Sequence, residues 1–358
     1  MGAPTFYRRP IPDGLIVFSS AEGKALFREA LADGTMESFF ALSEQFHTQA
    51  EPAFCALGSL VVALNALAID PGRLWKGPWR WFDESLLDCC VPLDVVAARG
   101  VTLSELACLA ECNGARAKLT RAAEGGVDAF REEIVRASRS AGERVVIVGY
   151  HRGALGQTGT GHYSPIGGYH ARTDRALLLD VARFKYPPHW VSVEQLFAAM
   201  ATVDEATGKP RGWVTLERSD VPRPLFVRLG VPITGWRAIL DALRSDVGPS
   251  ASAVAWASAI ARSEPARAAI LAPLAVAMGA ELAEQHRTYV DALVLEVRET
   301  PEFRAAMEGM GPSADPRTAA VAAVLGFVLG GTDALLGPAL RTETAAVRRQ
   351  LEALCPGI

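Results

Sequence analysis

Residues 48–69 read TQAEPAFCALGSLVVALNALAI, a polar loop with one proline that runs into a long apolar stretch, and the junction falls on Cys55. Leu, Val and Ala dominate after that point, so the stretch reads as a buried helix with Cys55 close to its start. A thiol in that position faces unpaired backbone N–H groups and the positive end of the helix dipole, which favour thiolate over thiol. Cys55 is therefore a candidate nucleophile. Gln49, six positions upstream, is placed to turn its side-chain amide toward the same point. There it would join the Cys55 backbone N–H as a donor to the oxyanion of an acyl transfer. The plain alternative is a small buried hydrophobe, the ordinary role of a free cysteine in an apolar helix.

A second stretch bears on that choice. Residues 159–190, GTGHYSPIGGYHARTDRALLLDVARFKYPPHW, hold His162 before one apolar run and Asp180 at the end of another. A thiolate nucleophile needs a base that can also protonate the leaving amine, and the base needs a partner that fixes its tautomer. Tyr163 to Tyr169 and Ala176 to Val181 read as strands separated by the polar turn His170 to Arg175, which puts His162 and Asp180 on neighbouring antiparallel strands. Singly, His162 is an ordinary loop histidine and Asp180 an ordinary strand-end cap; the combination with Cys55 carries the reading.

The long motifs LSEQFHTQAEPAFC (42–55), LNALAIDPGRLWKGPWRWFDESLLDCC (64–90), QTGTGHYSPIGGYH (157–170), LLLDVARFKYPPHW (177–190) and ATGKPRGW (206–213) resemble the catalytic domain of phytochelatin synthases, the glutathione gamma-glutamylcysteinyltransferases. The resemblance runs from about Thr5 to Arg218, and the glutamine-to-cysteine spacing is similar to that of papain-type enzymes. It implies Cys55 as nucleophile, His162 as acid/base, Asp180 as its orienting carboxylate and Gln49 as oxyanion donor. The implied reaction transfers a gamma-glutamylcysteinyl group from glutathione to glutathione or a phytochelatin, with release of glycine, through a Cys55 thioester. Two other classes stay open: a cysteine peptidase that removes glycine from glutathione, and a non-enzymatic metal-binding protein in which Cys55 and His162 are structural.

Glutathione carries an ammonium and a carboxylate on its gamma-glutamyl end. Asp204 and Arg211 in TVDEATGKPRGW, on either side of a Gly-Lys-Pro turn, offer the two complementary charges. The resemblance places the first gamma-glutamyl group there; a surface ion pair across a turn is the alternative. Arg152, Arg183, Lys185 and Tyr186 flank the catalytic strands and are, by the same resemblance, candidates for holding the acceptor glutathione.

Metal chemistry enters in two ways. Cys89 with Cys90, and Cys108 with Cys112 one helical turn apart, offer soft donors for zinc, cadmium or copper(I), although no further Cys or His flanks either pair in a recognised zinc arrangement. The resemblance implies a different route, in which a heavy-metal ion (Cd, Zn or Cu) activates by forming the metal-glutathione thiolate that acts as acceptor. No organic cofactor is expected. The chain departs from the family pattern in having Ala56 after the nucleophile where Gly is common. It also lacks a cysteine-rich C-terminal third, Cys355 being the one cysteine there.

With 358 residues, half of them hydrophobic, the chain is long enough for two ordinary domains. A net charge of -4 gives no support for nucleic-acid binding. Six unevenly spaced cysteines are no secreted disulfide framework, and the N-terminal residues have no signal-peptide pattern, so a reducing cytoplasm is expected. The proline-containing segment SDVPRPLFVRLGVP marks a linker at 219–234 between a papain-like α+β catalytic domain (1–218) and an all-helical accessory domain (235–358). In the first domain Val145 to Tyr150 and Trp213 to Glu217 read as further strands, and Ser59 to Ile69 and Leu103 to Cys112 as helices. In the second, Thr300-Pro301 and Asp315-Pro316 read as helix starts. Ala319 to Gly331 is apolar but too short to span a membrane, and a homodimer is compatible with the family resemblance.

Overall fold

The structure is a computed structural model that describes residues 8–72, 75–219, 237–248, 250–273, 283–331 and 336–354. All but Ser219 of the expected linker 219–234, the first seven residues and Cys355 lie outside the described residues. The chain forms two compact units, the first made of residues before 88 and of 93–222, the second of 88–92 and the residues after 222.

The first unit mixes helices with antiparallel sheet. It runs β1 (Ile16–Val17), α1 (Ala21–Ala32), α2 (Glu37–Ser43), α3 (Cys55–Ala66), α4 (Leu93–Arg99), α5 (Leu103–Cys112), β2 (Ala115–Arg121), α6 (Ala122–Ser138), β3 (Arg144–His151), β4 (Gly161–His170), β5 (Arg175–Leu178), β6 (His189–Ser192), α7 (Val193–Ala201), β7 (Val203–Asp204), β8 (Lys209–Pro210) and β9 (Gly212–Arg218). Seven strands pair in the order β1-β6-β5-β4-β3-β9-β2, every neighbour antiparallel, and β7-β8 is a separate hairpin. Short polar side chains start the helices: Ser20 caps α1, Ser192 caps α7, and Thr102 with Glu105 forms a reciprocal capping box on α5.

Helix α3 is buried on every side from Ala56 to Leu64, as a helix apolar all round must be. It begins earlier and ends earlier than the Ser59 to Ile69 read from the pattern, because Ala68 takes a left-handed φ of 51° that closes the helix after Ala66. α3 lies on β4, and the buried Ser59 hydroxyl donates to the Tyr163 carbonyl at 3.1 Å. β3 and β4 pair Tyr150 with His162 and Gly149 with Tyr163. A side chain at position 149 would put its Cβ 2.7 Å from the Tyr163 ring, so only glycine fits there. On the other edge of β4, the ladder with β5 shifts register between Ile166 and Gly168.

Every described element of the second unit after residue 236 is helical, including Arg237–Val247, Ala253–Arg262, Ala283–Arg298, Pro301–Met310, Pro316–Gly330 and Pro338–Leu354. Thr300 and Asp315 cap two of them with their side chains, each followed by proline in the first turn. The helix Pro316–Gly330 is the apolar centre of this unit, buried from Ala319 to Val328. Among the described residues no helix is long and apolar enough to cross a membrane.

Candidate active site

Cys55 is the first residue of α3, half-buried and not in a disulfide. Its backbone N–H is one of the first-turn donors that a helix leaves without an intrahelical acceptor. The loop before it is fastened from two sides. Gln49 N donates to the Val181 carbonyl at 3.1 Å, and Ala50 N donates to the buried Glu84 carboxylate at 3.0 Å, whose other oxygen lies 2.8 Å from His47 Nε2.

His162, the second residue of β4, has its Nε2 2.9 Å from Asp180 Oδ1 and lies near enough to Cys55 for its charge to act on the thiol. That leaves Nδ1 for the sulfur. The Tyr150 ring packs edge-on against the imidazole at 5.7 Å between centroids and fixes its plane. Asp180 stands just outside the sheet. β5 ends at Leu178 rather than at Val181, and the chain that leaves it carries Asp180 back toward His162. The carboxylate is fully engaged: it accepts from Ala182 N at 2.9 Å and from Arg152 Nη2 at 3.0 and 2.8 Å.

Burial alone would raise the Cys55 thiol, but the charge and hydrogen bond of His162, the Tyr163 backbone and the Arg152 charge outweigh it and pull the thiol below its ordinary value. Burial would likewise lower the His162 imidazole, yet the Asp180 carboxylate and the thiolate lift it above its ordinary value. Against its own desolvation, Asp180 is held far below the usual carboxylate range by His162 and Arg152. Both shifts favour a thiolate–imidazolium pair. Alkylation of Cys55 by iodoacetamide, followed at the Cys55 peptide by mass, should begin to rise well below the ordinary thiol value of 9.0. It should show a second step, loss of the imidazolium, above the ordinary imidazole value of 6.5. A single rise near 9.0 would disprove the ion pair.

Cys55 and His162 open into a cleft of about 550 Å³ in the first unit, lined also by Gly149, Thr160, Tyr163, Asp204 and Arg211. Asp204 and Arg211 belong to the β7-β8 hairpin and its exit; the turn is Glu205 to Gly208, while Lys209 and Pro210 are in strand. Arg211 Nη2 lies 3.7 Å from Asp204 Oδ1, and its Nη1 donates to the carbonyls of Thr202 and Val203 and to the Thr202 hydroxyl. The guanidinium is mostly buried at the cleft wall, and its pairing with Asp204 spans the hairpin.

Two expectations need correction. Arg152 and Tyr186 are buried, at 2% and 1% exposure, and have no face toward solvent for an acceptor substrate. Arg152 spends one nitrogen on Asp180 and the other on Gln157 Oε1 at 2.7 Å, with its plane over the Tyr186 ring, and the Tyr186 hydroxyl accepts from Thr158 N at 2.8 Å. Of that set, Arg183 is exposed and donates to the Phe46 carbonyl at 3.0 Å, and Lys185 is half-buried, its ammonium lowered by burial and by the Arg152 charge. Gln49 is buried, and its side-chain N–H groups donate to the carbonyls of Glu51 at 2.8 Å and Pro52 at 2.9 Å. Gln157, missed in the sequence, was visible only as a polar residue without a role inside a strong motif.

The four metal candidates are all buried. Cys89 and Cys90 have sulfurs 3.9 Å apart, and Cys108 and Cys112, on α5, have sulfurs 4.0 Å apart. Both spacings suit soft-metal chelation as well as plain packing of small apolar groups.

Residues 6–213 match the phytochelatin synthase family. Glutathione gamma-glutamylcysteinyltransferase 1 of Arabidopsis thaliana is 51% identical over 248 residues, 69% of this chain and 51% of that protein. The Triticum aestivum protein of the same name is 52% identical over 248 residues, 69% of this chain and 49% of that protein. Glutathione gamma-glutamylcysteinyltransferase of Schizosaccharomyces pombe is 43% identical over 240 residues, 66% and 56% of the two chains. This chain spans about half the length of these relatives. With the match covering α3, β4 and the β7-β8 hairpin alike, the chain belongs to the phytochelatin synthase family.

Proposed function

We propose that the chain is an acyltransferase that moves the gamma-glutamylcysteinyl group of one glutathione onto the amine of another glutathione or of a growing phytochelatin. The observation that carries this is the line Cys55, His162, Asp180 at the wall of a cleft that also presents Asp204 and Arg211. The names of the relatives support the same substrate. A nucleophile helix followed by a sheet that carries the base and its carboxylate fits a papain-like catalytic domain at 1–218. The helices after residue 236 form, on this reading, an accessory domain (235–358).

Arg211 and Asp204 hold the gamma-glutamyl carboxylate and ammonium. The Cys55 thiolate attacks the carbonyl carbon of the Cys-Gly amide, the C–N bond breaks, and His162 gives its proton to the departing glycine nitrogen. The thioester left on Cys55 is then attacked by an acceptor amine, which yields its proton to His162 as the C–S bond breaks and the thiolate returns. The Cys55 N–H, at the helix start, stabilises the oxyanion in both steps; Gln49 joins it once one of its loop bonds opens. Arg183 and Lys185 are the charged groups left to guide the acceptor. A heavy-metal ion acts as part of that acceptor, as a glutathione thiolate complex, in a cytoplasmic setting.

Water in place of the acceptor amine would make the chain a deglycinating peptidase, and the openness of the cleft to solvent bears on that balance. Incubation with glutathione, with and without cadmium, should release glycine and give peptides longer by one gamma-Glu-Cys unit, more of them with cadmium. Gamma-glutamylcysteine as the only product by mass would reassign the chain as the peptidase, and no glycine release would refute both.

A further inference from the structure

Behind Asp180 a buried line of polar groups leads away from the cleft. Arg152 Nη1 donates to Gln157 Oε1 at 2.7 Å, Gln157 Nε2 lies 3.1 Å from His189 Nε2, and His189 Nδ1 lies 2.9 Å from the Pro187 carbonyl. Gln157 and His189 are 4% and 0% exposed, and neither lines the cleft.

The polarity of this line is set from its far end. A carbonyl can only accept, so His189 carries its proton on Nδ1 and offers a lone pair at Nε2. Gln157 must then turn its NH₂ to His189, which leaves its carbonyl for Arg152, a group that can only donate. Arg152 is thereby held in the one position from which its other nitrogen bridges both oxygens of Asp180. No bond in the line is reversible without breaking another.

We propose that Gln157 and His189 are positioning residues for the acyl transfer, acting through Arg152 to keep Asp180, and with it the His162 imidazole, aimed at Cys55. This rests on the acyltransferase reading of the same site. Burial, with the Arg152 and His162 charges, keeps His189 below its ordinary value against the pull of the Pro187 carbonyl and Asp180, so it is neutral. The strand neighbours of His189, Val17 on β1 and Leu178 on β5, add no charge. Protonation at Nε2 would set a donor against the Gln157 NH₂ and flip the amide, and Arg152 would then face a second donor.

The test uses the full chain and two variants. Gln157→Leu keeps the bulk and removes both bonds; it should lower kcat for glycine release by about 10- to 100-fold, the range that partners of a functional side chain command, with KM for glutathione changed less than about twofold. Gln157→Glu offers an acceptor to Arg152 and a second acceptor to His189, which then fits only when His189 is protonated. Its activity should therefore hold or rise toward the acid side, relative to wild type, where the wild-type line is disrupted. Alkylation of Cys55 by iodoacetamide should follow the same pH pattern in each protein without any substrate. Full kcat in a folded Gln157→Leu, a loss confined to KM, or a Gln157→Glu profile parallel to wild type would overturn the proposal. If Gln157→Leu does not fold, the Gln157→Glu profile decides alone. Absence of glycine release by wild type would fall on the acyltransferase reading instead, and the alkylation profiles would still decide this one.

Discussion

Replacing Cys55 by Ala should lower glycine release from glutathione by at least about 10⁴-fold, the scale on which removal of a nucleophile disables a coupled catalytic set. The thiol is the group that His162 serves, the imidazole meeting Asp180 with its other nitrogen. Folding should be preserved, because Cys55 begins α3 and alanine is at least as good a residue in a helix. Thermal denaturation beside a glycine assay checks both halves. A Cys55→Ala protein that melts like wild type and still releases glycine at more than a hundredth of the wild-type rate would place the nucleophile elsewhere.

Replacing Arg152 by Met should cost about 3–5 kcal/mol of folding stability at neutral pH, the penalty for removing one partner of a buried pair, together with most of the activity. Arg152 and Asp180 meet at 2.8 Å with side-chain exposures of 3% and 0%, so solvent does not screen them. Methionine fills the volume but leaves Asp180 with His162 and the Ala182 N–H alone. The pH dependence follows from Asp180, whose folded value is depressed. Its contribution is present above the ordinary value of 3.8 and is lost as pH falls through the folded value. The gap between wild type and Arg152→Met should therefore be widest near neutrality and narrow in strong acid. Urea midpoints at several pH values measure it; a difference below about 1 kcal/mol at pH 7, as for an exposed pair, would contradict the burial argument.

Much of the site was legible because its signals are local. Cys55 was marked by the change from polar loop to apolar run, and the helix starts at Thr300 and Asp315 by a short polar cap followed by proline. His162 and Asp180 were legible as a pair, though the ladder stops two residues short of Asp180. What escaped depends on partners far along the chain. Arg152 and Asp180 are 28 positions apart, and an arginine in a glycine-rich stretch reads as exposed unless its partner is known. The same holds for Gln157 and His189, 32 positions apart. The end of α3 was missed because Ala68 adopts a conformation that sequence would give to glycine.

The bond from Ser59 to the Tyr163 carbonyl joins a helix to a strand four residues from the sulfur and one residue from the imidazole. Neither the Cys55 sulfur nor the His162 ring takes part in it, so both stay free of that bond while their backbones are stitched together next door. The freedom that would let the two drift apart is therefore surrendered once, when the polypeptide folds, and the distance is set before any ligand arrives.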